Sequence, residues 1–148
     1  MEETSADTRE IVGRLERREL SIVNPRRKNG VILYKKYHAE FVGPGAAIGG
    51  QFDSDVTRVL PVGKLSLVTP RDGQEKINGY LIRRQWVRLM KQIIENPVPV
   101  QRAQVILNQF ENWFDTETAA AVPDEAFALL VGVLPRSIRR ARRELEQL

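Results

Sequence analysis

The spacing of apolar residues changes character twice along this chain. Between Asp7 and Leu20 they are sparse: Ile11 and Leu15 lie four apart, flanked by Val12 and Glu19, in an otherwise charged stretch. That spacing predicts a helix over residues 5–20 that docks by one narrow edge. Asp7 is a suitable N-cap, and Glu10 three residues on completes a capping-box pattern. From Ser21 to Pro70, β-branched and aromatic residues run between Pro, Gly and Asn. In SIVNPRRKNGVILYKKYHAEFVG they flank NPRRKNG, whose Pro25 and Asn29-Gly30 predict a hairpin. GPGAAIGG, residues 43–50, reads as a flexible loop or tight corner. Short strands are expected at Val56–Leu60 and Lys64–Thr69, separated by Pro61-Val62-Gly63, and the segment from Thr69 to Gly73 breaks the chain.

After Asn78-Gly79 the helical period takes over. Ile82, Trp86, Leu89/Met90 and Ile93 recur at three and four residues, with Arg83, Arg84, Arg88 and Lys91 off that face. Asn96-Pro97-Val98-Pro99 stops this helix, and a further one is expected from Val100 to Phe114. Trp86, Phe110, Trp113 and Phe114 fall at helical spacing and belong in a core. Asp115 to Pro123 reads as a linker in which Ala119–Ala121 adds at most a turn of helix. Asp124 then caps a short helix ending near Val131, with Ala126, Leu129 and Leu130 inward. Gly132 sits where a turn needs positive φ. Pro135 opens a last helix at the position where its missing N–H costs nothing. Ile138, Ala141 and Leu145 form the inward seam of that helix. The fold class is α+β: a helix and a small β-rich unit over residues 1–78, then a helical region over 79–148 with a helix-turn-helix at 124–147.

Composition narrows the partners. The chain holds 148 residues with 42% hydrophobic and 28% charged, enough to bury a core in one ordinary domain or two very small ones. No apolar run approaches membrane-spanning length, and the polar, acidic start does not resemble a secretory signal, so a cytoplasmic location is expected. The absence of cysteine removes disulfides, thiolate catalysis and cysteine-based zinc sites. The net charge of +4 is unevenly spread. Residues 132–148 carry five bases against two acids, all five being arginines between 136 and 143. A second basic cluster is Arg26, Arg27, Lys28, Lys35 and Lys36. Placed at a hairpin tip and beyond, it reads either as solvated charge or as a second phosphate-contacting patch.

The segment Leu130-Val131-Gly132-Val133, then Ile138, Arg140 and Leu145, resembles the DNA-binding unit of the Crp-Fnr type of bacterial transcription regulators. The resemblance covers 124–148, and reaches residue 100 if Val100–Phe114 stands for the helix preceding the motif. It implies a second helix lying in the major groove, with Pro135, Arg136, Ser137 and Arg140 at the base-contacting positions. The family's usual Ser-Arg-Glu start is Leu134-Pro135-Arg136 here, and no β-hairpin wing follows before Leu148. The upstream β region has no phosphate cassette for a cyclic nucleotide. The expected function is that of a DNA-binding transcription regulator: Arg136, Ser137 and Arg140 read bases, Arg139 and Arg143 hold phosphates, and a homodimer engages a two-fold site on double-stranded DNA. The β region or the Gln85–Ile94 helix would supply the dimer contact. The alternative is a non-enzymatic adaptor whose basic helix docks on an acidic protein.

Other constellations carry less. His38 has no second histidine and reads as a surface or edge residue. Asp53 and Asp55, two apart, suit a polar loop better than a metal or proton-sharing pair. The glycines of residues 43–50 lack the ending of a phosphate-binding loop. No nucleophile–base pair or metal cluster can be assembled, so no enzyme activity, metal or cofactor is expected.

Overall fold

The computed structural model describes residues 3–4 and 7–147. Its elements run β1 (Glu3–Thr4), α1 (Thr8–Glu16), β2 (Leu20–Val23), β3 (Asn29–Tyr34), β4 (Ala39–Val42), β5 (Ala47–Gly49), β6 (Arg58–Gly63), β7 (Leu67–Val68), α2 (Gly73–Ile94), α3 (Pro99–Trp113), α4 (Thr116–Ala121), α5 (Asp124–Val131) and α6 (Pro135–Glu146). The class is α+β. The chain divides into two compact units, Met1–Val87 and Arg88–Leu148. Among the described residues no helix is long and apolar enough to cross a membrane.

The first unit holds two antiparallel sheets, in the orders β1-β7-β2-β5 and β4-β3-β6. Helix α1 is shorter than the expected 5–20: Asp7 caps it by accepting from the Arg9 amide at 3.0 Å, and Leu20 already belongs to β2. Ser5 and Ala6 lie outside the described residues. Ile11 and Leu15 reach the main core, which they share with Val23, Val31, Leu33, Val42, Ile48, Val59 and Leu67. Burial of such residues on both faces of short strands stabilises each by about 1.5–3 kcal/mol relative to exposure.

The expected hairpin through NPRRKNG does not form. β2 pairs with β5 and β7, whereas β3 pairs with β4 and β6. The reason lies in two buried asparagines. The Asn29 amide donates to the carbonyls of Asn24 (3.0 Å) and Arg27 (2.9 Å), and its oxygen accepts from the Ser66 N–H at 3.0 Å. Asn24 in turn donates to Ser66 Oγ at 3.3 Å. These bonds satisfy the backbone of a corner passing from one sheet to the other, so Asn29-Gly30 opens a strand instead of a turn.

Three more punctuation marks are absorbed into regular structure. GPGAAIGG supplies β5 and is almost wholly buried. Pro61 does not separate strands but lies within β6, opposite Val31. β6 is an edge strand, the setting in which a residue without an N–H is tolerated. Asn78-Gly79 lies inside α2, because a Cβ at Gly79 would come within 2.4 Å of Ile22 Cδ1 and 3.1 Å of Ala47 Cβ. The absence of a side chain at Gly79 thus lets the helix lie close against β2 and β5.

The second unit is helical. Its core contains Ala103, Ile106, Leu107, Phe110, Phe127, Leu130, Ile138 and Ala141, all buried. Phe110 meets Phe127 edge-on at 4.9 Å. α3 begins at Pro99, and the expected linker contains α4, capped by Asp115, which accepts from the Thr118 amide at 2.6 Å. Trp86 and Trp113 are only partly buried, while Leu129, expected inward, is exposed.

Candidate nucleic-acid interface

The turn between α5 and α6 is set by one backbone conformation. Gly132 terminates α5 at φ 67°, ψ 41°, and its N–H donates to Ala128 O. A side chain costs about 1–2 kcal/mol in this left-handed region, and nothing lies within 4 Å of where a Cβ would sit. Gly132→Ala is therefore expected to lose about 1–2 kcal/mol by urea denaturation, and Gly132→Asn less, because Asn enters this region more readily.

Arg102, on α3, clamps the same turn. Its guanidinium donates to Asn96 O (2.6 Å), Val131 O (3.0 Å) and Gly132 O (3.2 Å). The last carbonyls of a helix lack partners within it, and a cation there also suits the helix dipole. Nothing in the local sequence marks Arg102 for this role, since its acceptors lie as many as 30 residues away.

Helix α6 has two arginine populations. Ile138 and Ala141 are buried and Leu145 is partly so, turning one side of the helix to α3 and α5. Arg142 follows that inward side. It donates to Asp124 Oδ1 (2.7 Å) and to the carbonyls of Val122 (2.5 Å) and Ala119 (3.5 Å), and its guanidinium lies 5.3 Å from the Phe127 ring centre. It fastens α6 to α4 and α5. Arg136, Arg139, Arg140 and Arg143 are all exposed, and their spacing of three, four and seven aligns them on one face. The side chains of Arg136, Arg139 and Arg143 make no ion pair or hydrogen bond with the described residues. Arg140 pairs with Glu144 at 3.1 Å, while Gln104 Nε2 donates to the other carboxylate oxygen at 2.6 Å. Ser137 is half-buried in the first turn, its N–H donating to Leu134 O at 2.9 Å.

The second basic cluster is not one patch. Arg26, Arg27 and Lys28 are exposed just before β3, and Lys35 and Lys36 follow it. A six-residue strand separates the two groups by about 20 Å. Lys36 is exposed, its Nζ 5.2 Å from the Tyr37 ring. Lys35 points inward, donating to Phe52 O at 2.7 Å and lying 3.4 Å from Asp53 and 3.5 Å from Glu40.

Asp53, expected on a polar loop, is completely buried. Arg83 grips it with two bonds, at 2.9 and 3.0 Å, and the Gly49 amide adds a third at 2.7 Å. Arg83 also donates to Glu40 (2.8 Å) and Ala47 O (3.1 Å). Burial alone would raise the Asp53 pKa, but the Arg83 and Gly49 hydrogen bonds with the Arg83 and Lys35 charges outweigh it, holding the carboxyl below its ordinary value. Burial likewise opposes the charge on Arg83, and its bonds to Asp53 and Glu40 more than restore it. The arrangement fixes β5 and the Gly50–Asp55 loop against α2. His38 is exposed at the margin, its Nε2 3.5 Å from Glu40.

No known protein family matches this chain, and neither does any curated protein or solved structure. Among the described residues no group of three His, Asp or Glu side chains is placed to hold a metal.

Proposed function

We propose that this protein binds double-stranded DNA through α6, as a transcription regulator acting as a homodimer. The observation that carries the reading is the stripe of Arg136, Arg139, Arg140 and Arg143. Four cations share the exposed face of the second helix of a helix-turn-helix, three of them with no partner among the described residues. A helix fits the major groove, and an arginine can fork onto guanine O6 and N7. Arg136, Ser137 and Arg140 are assigned to base edges, and Arg139 and Arg143 to phosphates. Arg140 must exchange Glu144 for its DNA partner.

The test is fluorescence anisotropy with a mixed-sequence duplex over a salt series. The logarithm of affinity is expected to fall linearly with the logarithm of salt concentration, by about 0.9 per phosphate held. Arg139→Ala and Arg143→Ala should each lower that slope by about 1. At a selected site, Arg136→Ala or Arg140→Ala should cost about 1–3 kcal/mol of base discrimination. Absence of a salt-sensitive complex at low ionic strength would sink the reading and leave an acidic protein as the partner of the helix.

A further inference from the structure

The first unit contains a cavity of about 500 Å³, lined by Lys35, Glu40, Ala47, Gly49, Phe52, Tyr80, Arg83, Arg84 and Val87. Its size lies within the range of small-molecule sites, about 300–1,000 Å³. One wall is a single face of α2, since Tyr80, Arg83, Arg84 and Val87 are spaced at three, four and seven. The opposite wall comes from β5 and the loop that Asp53 anchors. Phe52, on that loop, is 68% exposed and stands edge-on to Tyr80 at 6.2 Å. An aromatic side chain this exposed, facing another ring across a concave site, is available to cover an apolar ligand.

The charges select the ligand. Lys35 and Arg83 are occupied at the back of the cavity by Glu40, Asp53 and the Phe52 and Ala47 carbonyls. Glu40 is likewise occupied, by Arg83 and Lys35 on one oxygen and by His38 at 3.5 Å on the other. Asp55 also lies 3.6 Å from Lys35, but it is 64% exposed and outside the lining. Among the lining residues and the buried Asp53 behind them, these two cations and two anions balance. Arg84 is exposed and its side chain has no ion pair or hydrogen bond with the described residues, leaving one uncompensated positive charge on the lining. The Tyr80 hydroxyl also has no hydrogen-bond partner among the described residues. We propose that this cavity binds a small organic monoanion, an aromatic carboxylate whose ring lies between Phe52, Tyr80 and Val87 and whose carboxylate meets Arg84. The site is independent of what α6 binds.

The test is calorimetric titration of the full chain with benzoate, phenylacetate and indole-3-acetate, each beside its neutral primary amide. At least one acid should bind, and its amide should bind about tenfold more weakly, the difference a charge-assisted hydrogen bond makes. Arg84→Ala should abolish that preference while leaving the melting temperature of the free protein unchanged, because Arg84 is on the surface. Phe52→Ala should weaken acid and amide together. Three outcomes would overturn the proposal: no acid binding up to about 1 mM, amides binding as well as acids, or full affinity in Arg84→Ala. A protein that is dimeric by sedimentation and becomes monomeric in Phe52→Ala would overturn it too, by assigning the cavity to a second copy.

Discussion

Asp53→Asn is expected to lower the unfolding free energy by about 3–5 kcal/mol, the usual cost of breaking a buried ion pair by removing one partner. The amide keeps the shape of the side chain, so the loss comes from charge. Arg83 remains buried with only Glu40 to balance it, and one amide oxygen cannot receive both prongs of the guanidinium and the Gly49 N–H. Urea denaturation at neutral pH measures this directly. A double-mutant cycle with Arg83→Met isolates the pair: the doubly substituted chain should lose less than the two single losses combined. The same pair predicts a pH dependence. The folded pKa of Asp53 is lowered, so its contribution is complete above the unfolded value of about 3.9 and disappears as the pH falls through the folded one. The gap in stability between the natural protein and Asp53→Asn should therefore narrow below about pH 4. A gap constant from neutral pH to pH 3 would mean that ionisation of Asp53 contributes nothing.

Arg102→Ala is expected to cost about 2–3 kcal/mol, because it deprives three carbonyls of a charged donor. Two of them, Val131 O and Gly132 O, belong to the turn that orients α6, and the third ends the segment leading into α3. Water can reach the exposed Gly132, which keeps the loss below three full desolvation penalties. Arg102→Lys should recover only part of it, since one ammonium cannot reproduce the spread of a guanidinium. Hydrogen exchange gives the local readout: the Val133 amide, bonded to Ala128 O at 3.1 Å, should exchange faster in Arg102→Ala. Unchanged protection there would show that Gly132 holds the turn without help.

The helical half was legible because its signals are local. The spacing of Ile138 and Ala141, the placement of Gly132 and the Pro135 start each depend on neighbours within a few residues, and α5 and α6 follow them. The β half was not, because its turn residues act over long distances. Asn24 and Asn29 have the chemistry of a hairpin tip, but their partner Ser66 lies about 40 residues away and turns them into a corner between sheets. Asn78-Gly79 read as a break because the closeness of β2 and β5 has no signature nearby. The charge cluster was hidden for the same reason. Arg83 had the spacing of a solvent-facing helical residue and Asp53 that of a loop acid, and each explains the other only once folding brings them together. The arginine stripe was visible as composition, but the inward turn of Arg142 follows from Asp124 and the carbonyls beside it.

Pro61 bears on how two copies of this chain can associate. An open strand edge is a template on which another chain can add a strand, one hydrogen bond after another. In the middle of β6 that row of donors is interrupted, because the pyrrolidine nitrogen has no hydrogen to offer. A continuous sheet shared across a two-fold axis at this edge would lack a bond at its centre. That gap makes β6 a poor template for strand addition, so a dimer built by sharing strands would have to use a different edge.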